Sequence, residues 1–99
     1  MPTFKGSDAG RARALARKPR RPKFALGQVV VDSYGDVAAI DAIYADIQAA
    51  EDAGVITDAR EWLAAQEKRP RTPRSGIWYS LVFGHGTGLA GELDLVRAK

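Results

Sequence analysis

Ile77-Trp78-Tyr79-Ser80-Leu81-Val82-Phe83 is the longest run of strand-forming residues in the chain. Read at period two, Ile77, Tyr79, Leu81 and Phe83 share one face and Trp78, Ser80 and Val82 the other. β-Branched and aromatic side chains pack well on a pleated surface, so the run reads as a central strand with both faces partly buried. After it, Gly84-His85-Gly86-Thr87-Gly88 reads as a flexible turn, Leu89-Ala90 as a short strand, and Glu92-Leu93-Asp94-Leu95-Val96 as the closing segment.

Before the central strand lies a basic, proline-broken linker, Lys68 to Ser75 (KRPRTPRS). A helical hairpin over about 44–68 precedes it. Asp46 to Ala53 is helical by composition, and Gly54 is well placed as a C-terminal cap. Asp58 caps a second helix, Ala59 to Lys68, with Glu61 three residues on to complete a reciprocal box. Val37 to Tyr44 fits either period: alternation groups Val37, Ala39, Asp41 and Ile43, while helical spacing aligns Ile40, Ile43, Tyr44 and Ile47. Strand is favoured for its first half and helix from about Ile43 or Tyr44 onward. Phe24 to Ser33 reads as a first strand and Tyr34-Gly35-Asp36 as a turn. The expected core is Leu26, Val29, Val31, Val37, Ile40, Tyr79, Leu81, Phe83, Leu93 and Leu95, with Ile47, Ile56 and Trp62 of the hairpin over one opening.

The chain has 99 residues and a formal net charge of +3, and that small sum hides a sharp asymmetry. Residues 1–23 hold eight Lys/Arg against one Asp, residues 24–67 one Arg against nine acids, and residues 68–74 four bases with no acid. Residues 1–23 are too poor in apolar side chains to supply a core and read as a basic flexible arm. The domain, residues 24–99, then has about 75 residues, near the low end for a fold that stands alone. With no cysteine there is no disulfide and no thiolate chemistry, and a cytoplasmic setting is expected. No apolar run reaches the ~20 residues of a membrane span, and no membrane partner is expected.

In order, the elements are a strand carrying Phe24, Gly27, Gln28 and Val29, a Gly35 turn, a strand with Ile40-Asp41 and Tyr44, an insertion, the Trp78-Tyr79 strand, a glycine-rich turn and Glu92-Leu93-Asp94-Leu95. This order resembles the five-stranded SH3-like small barrels, and among them it is similar to the hemimethylated-DNA-binding heat-shock barrel family. The resemblance implies a small antiparallel SH3-like barrel; with the inserted helical segment (44–75) and the basic N-terminal arm read from the residues themselves, the expected fold is α+β, mainly β. The insertion, about 30 residues between the second and third strands, departs from the family pattern.

Candidate chemistry is sparse. Asp32, Asp36, Asp41 and Asp46 lack the spacing of a calcium loop and read as a solvated face. A minority reading has some of them dock the chain's own basic arm or a basic partner. His85 is the single histidine; without cysteine or a second histidine a zinc site is not expected, and it reads as an exposed turn residue. Gly84, Gly86 and Gly88 lack the following helix that a phosphate cradle needs. No catalytic residue, metal or cofactor is expected. The basic residues are the strongest signal: Lys5, Arg11, Arg13, Arg17, Lys18, Arg20, Arg21 and Lys23 in the arm, and Lys68, Arg69, Arg71 and Arg74 in the linker. Guanidinium forks pair with phosphate, and counterion release drives such binding. Tyr34, Trp78 or Phe4 could add stacking, although Trp78 reads first as a packed residue. The first expectation is therefore a non-enzymatic protein bound to the phosphate backbone of DNA or RNA. The second, from a different class, is a protein-interaction adaptor, a phage- or host-encoded inhibitor, or an accessory subunit of a larger assembly. It would use Tyr44, Ile56 and Trp62 of the acidic hairpin.

Overall fold

Trp78–Phe83 forms the strand β3, flanked on both sides within one antiparallel sheet. The computed structural model describes residues 21–98. The elements in chain order are β1 (Val29–Val31), β2 (Val37–Tyr44), α1 (Ile47–Asp52), α2 (Ala59–Ala65), β3, β4 (Gly86–Gly91), a 3-10 turn (Glu92–Asp94) and β5 (Val96–Arg97). Five strands lie in the order β4-β3-β2-β1-β5. The fold is α+β and mainly antiparallel β, as expected. The expected closure is not met: β4 and β5 are the two edges, and among the described residues they do not pair. Most of the basic arm, Lys5 to Arg20, lies outside the described residues.

The sheet buries apolar groups on both faces. On one, Tyr79 and Leu81 pack with Phe24, Val30, Ala38, Ile40, Ile77 and Leu95. Phe24 meets Tyr79 edge-on, ring centroids 5.5 Å apart. Fully burying a side chain of that size contributes roughly 1.5–3 kcal/mol. On the other face Trp78 packs with Ile47, Ile56 and Ala59, and Trp62 adds an edge-to-face contact at 5.8 Å. The hairpin α1–α2 therefore covers the end of the sheet where Trp78 and Tyr44 pair.

The two helices start on aspartates. Asp46 Oδ1 accepts from Ala49 N–H and Asp58 Oδ1 from Glu61 N–H. The second carboxylate at the start of α2 is Glu51 of α1, which accepts from Ala59 N–H at 2.7 Å. Gly54, at φ +82°, follows α1 as expected, where a side chain would be strained. β2 runs to Tyr44, further than the expected switch to helix, and a bulge between Ile40 and Ala42 keeps Ile40 and Ile43 beside Leu81 and Tyr79. α2 stops at Ala65, three residues short of expectation, because Gln66 turns extended and sends the chain across to Tyr34.

Four expected core residues are corrected. Val29, Val37, Leu26 and Leu93 are exposed, Val29 at 47 % against 0 % for its neighbour Val30. Three consecutive valines carry no polar residue to mark the outer face, so the register with β2 decides, and a one-residue slip exchanges the faces. Val30 pairs with Ala38, and Phe24 fills the core place expected of Leu26. Leu93 sits in the 3-10 turn rather than in a strand. The outer face at this corner is bare: Val29, Val37, Val82 and Val96 are exposed, and pairing through Ala39 and Val31 joins them into one apolar surface.

Candidate nucleic-acid interface

Glu92-Leu93-Asp94 is where the two basic segments are tied down. The turn follows Gly91, whose lack of a side chain lets Thr72 come against the backbone; a Cβ there would overlap Thr72 Cβ and Oγ1. Asp94 accepts from Arg71 N–H at 2.8 Å, Thr72 N–H at 3.2 Å and Thr72 Oγ1–H at 2.8 Å. Leu93 N–H donates to Thr72 Oγ1 at 2.9 Å. Two residues earlier, Glu92 Oε2 accepts from Lys23 N–H at 2.7 Å and from the Tyr79 hydroxyl at 2.6 Å. One three-residue turn thus fixes the point where the arm enters the domain and the middle of the linker.

The linker continues as a strap. At one end Lys68 N–H donates to the Tyr34 hydroxyl at 3.0 Å, Lys68 Nζ donates to Ser33 O, and the ammonium stands 5.0 Å from the Tyr34 ring. At the other end Trp78 Nε1–H donates to Pro73 O, and Ile47 N–H to Arg74 O. The strap runs from the β1–β2 turn to Gly91 and the 3-10 turn, beside a cleft of about 230 Å³ lined by Tyr34, Trp62, Gln66, Lys68, Pro70, Phe83 and Leu89 among others. Lys68, Arg69, Arg71 and Arg74 are exposed along it, and Arg21 and Lys23 are exposed at the arm's exit. Lys5, Arg11, Arg13, Arg17, Lys18 and Arg20 lie outside the described residues.

Tyr79 links this anchor to the core. Its hydroxyl also accepts from Phe24 N–H at 3.3 Å. Burial, and then the hydrogen bond to Glu92, push the phenol up from 10.0 to about 12. The unfolded chain releases this proton near pH 10, so between pH 10 and 12 the folded state binds the proton more tightly than the unfolded one. The associated stability is complete below pH 10 and is lost as pH rises through 12. Tyr79→Phe is expected to flatten this alkaline loss. At neutral pH it should cost about 1–3 kcal/mol, because Glu92 and Phe24 N–H each lose a partner. Urea midpoints taken from neutral pH upward check both statements.

The remaining candidates are placed as follows. Ile56 is buried in the cluster under the hairpin, and Tyr44 and Trp62 are half-buried against it, so all three are used for packing. Asp32 closes the β1–β2 turn, accepting from Tyr34 and Asp36 N–H groups; Asp36 and Asp41 are exposed. His85 is exposed at the β3–β4 turn, where it stacks on Phe83 at 5.0 Å. Gly86 and Gly88 belong to β4 rather than to the turn, and a Cβ at Gly88 would come within 3.1 Å of the Phe83 ring. Among the described residues no group of three His, Cys, Asp or Glu is arranged to hold a metal ion, and no helix is long and apolar enough to cross a membrane. Sequence reasoning passed over Thr72, Gly91, Glu92 and Asp94 as site residues. Their signal was an acid on either side of Leu93 and a threonine inside a basic run.

Comparison with protein-family models, curated proteins and solved structures finds no match for the chain. What the described residues define is a small sheet domain in which one turn holds the backbone of Lys23 and of the Lys68–Arg74 strap.

Proposed function

We propose that the chain is a non-enzymatic, nucleic-acid-associated protein that grips the phosphate backbone of DNA or RNA with its basic arm and basic strap. In this reading its frame is an SH3-like barrel left open at one seam. Connectivity supports the frame: β1 to β4 form a meander, β5 returns to β1, and the strap bonds to Tyr34 at one end and to Asp94 further along. A cytoplasmic setting is the one a cysteine-free small domain supports.

One observation carries the function. Glu92 and Asp94 accept from the backbone N–H groups of Lys23 and of Arg71 and Thr72, so residues of two basic segments far apart in sequence are held on one turn. Arginines brought together before binding contact successive phosphates at less entropic cost than arginines on independent tails. Backbone contacts of this kind position the protein without reading sequence.

Fluorescence anisotropy across a salt series tests it. Four phosphate contacts predict a loss of roughly 100-fold in affinity between 50 and 200 mM salt. Neutralising Arg69, Arg71 and Arg74 together should make the log–log slope shallower by about 0.9 per contact removed. Removing residues 1–20 should weaken binding further while Lys23 stays on Glu92. Affinity that ignores salt would count against the reading.

The bare valine face favours a second reading, a protein-interaction adaptor, inhibitor or accessory subunit. A contiguous apolar surface of this kind on a small domain marks a contact site. A stoichiometric protein partner that survives nuclease treatment and is lost on Val37→Asp would put this reading in place of the first.

A further inference from the structure

We propose that the cleft beside the strap takes a base of single-stranded nucleic acid, an inference that rests on the phosphate-binding reading and narrows its substrate. Tyr34 stands at the mouth of the cleft with its side chain 47 % exposed. Trp62, Phe83 and Leu89 are among the residues that line the cleft, whose volume is about 230 Å³. Of the strap, Lys68 and Pro70 lie within the lining, and the exposed Arg69 stands between them in sequence. Aromatic walls and a cationic edge together match a nucleotide, an apolar ring joined to a phosphate.

Two acids, Asp32 and Asp94, also line the cleft; hydrogen bonds from the chain occupy their oxygens but leave their charge in place, so the ring and not the phosphate is the part that enters. Asp32 Oδ1 accepts from the backbone N–H groups of Tyr34 and Asp36, and Asp94 from the backbone N–H groups of Arg71 and Thr72 and from the Thr72 hydroxyl. Gln66 donates its amide to Trp62 O, which leaves its carbonyl oxygen to accept from a base N–H. A base inside a duplex is covered on both faces by its neighbours; a base in a single strand can turn out and stack. Polyanion density alone favours the duplex, so a preference for the single strand isolates the cleft from the strap's charge.

The test compares labelled oligothymidine, oligouridine and a duplex of equal length at 50 and 200 mM salt, about the range over which phosphate contacts respond, with the wild-type chain, Tyr34→Phe and Tyr34→Leu. Tyr34→Phe keeps the ring and loses the hydroxyl that accepts from Lys68; Tyr34→Leu loses both, so their difference reports the ring alone. At least one single strand is expected to bind roughly tenfold tighter than the duplex, with Tyr34→Phe close to wild type. Tyr34→Leu should lose about 5- to 100-fold on the single strand and little on the duplex. Equal, salt-dependent affinity for all three ligands would overturn the inference and leave the phosphate reading standing. A single-strand preference untouched by Tyr34→Leu would also overturn it. Binding to none of the three would remove both.

Discussion

Replacing Trp78 by alanine is expected to cost about 3–5 kcal/mol of folding stability, which a small domain holding about 5–15 kcal/mol in total can scarcely absorb. The indole is fully buried and is the largest side chain in the cluster that joins sheet to hairpin. Its Nε1–H also fixes Pro73 O, so the substitution opens a cavity and frees one end of the strap. Trp62→Ala provides the comparison. Trp62 is half-buried and touches the same cluster from outside, and its loss should cost distinctly less. Urea unfolding followed by circular dichroism measures both. A Trp78→Ala cost no greater than that of Trp62→Ala would mean that the hairpin is not held by this indole.

Gly91→Ala is expected to cost about 3 kcal/mol, at the upper end of ordinary overpacking, because the new methyl falls on Thr72 and neither side can move freely. Thr72 is fixed by three hydrogen bonds to Asp94 and Leu93, and Gly91 is paired with Trp78. The strap must therefore lift, losing those bonds as well. Thr72→Gly removes the atoms the methyl would strike. Gly91→Ala should then cost less on the Thr72→Gly background, with a coupling of about 0.5–3 kcal/mol. Strictly additive losses in the double-mutant cycle would show that the clash is relieved elsewhere.

Residue order carried much of this fold. The β3 run, the Gly35 turn, the aspartate starts of both helices and the cap at Gly54 all followed from local chemistry that acts within a few residues. What failed was non-local. Val29-Val30-Val31 is symmetric between faces, so only its pairing with Ala38 and Arg97 settles that Val30 goes inward. The open seam was hidden for the same reason, since closure depends on whether β4 reaches β5 and no local signal reports that. In the site, the cationic residues were legible as a charge pattern. Their shared anchor was not, because it is made by Glu92, Asp94, Gly91 and Thr72 across more than 20 residues.

The Glu92–Asp94 turn also sets the order in which the molecule assembles. Hairpins β1–β2 and β3–β4 are local and form in about 1–10 μs in isolation. The Lys23–Glu92 bond closes a loop of 69 residues, and β1 gains its second neighbour only when β5 arrives. Loop-closure entropy defers such distant pairings to late in folding. Lys23 and the strap thus gain a fixed spacing only once the distant Glu92 contact closes, and a chain halted before that closure would carry the same charges without it.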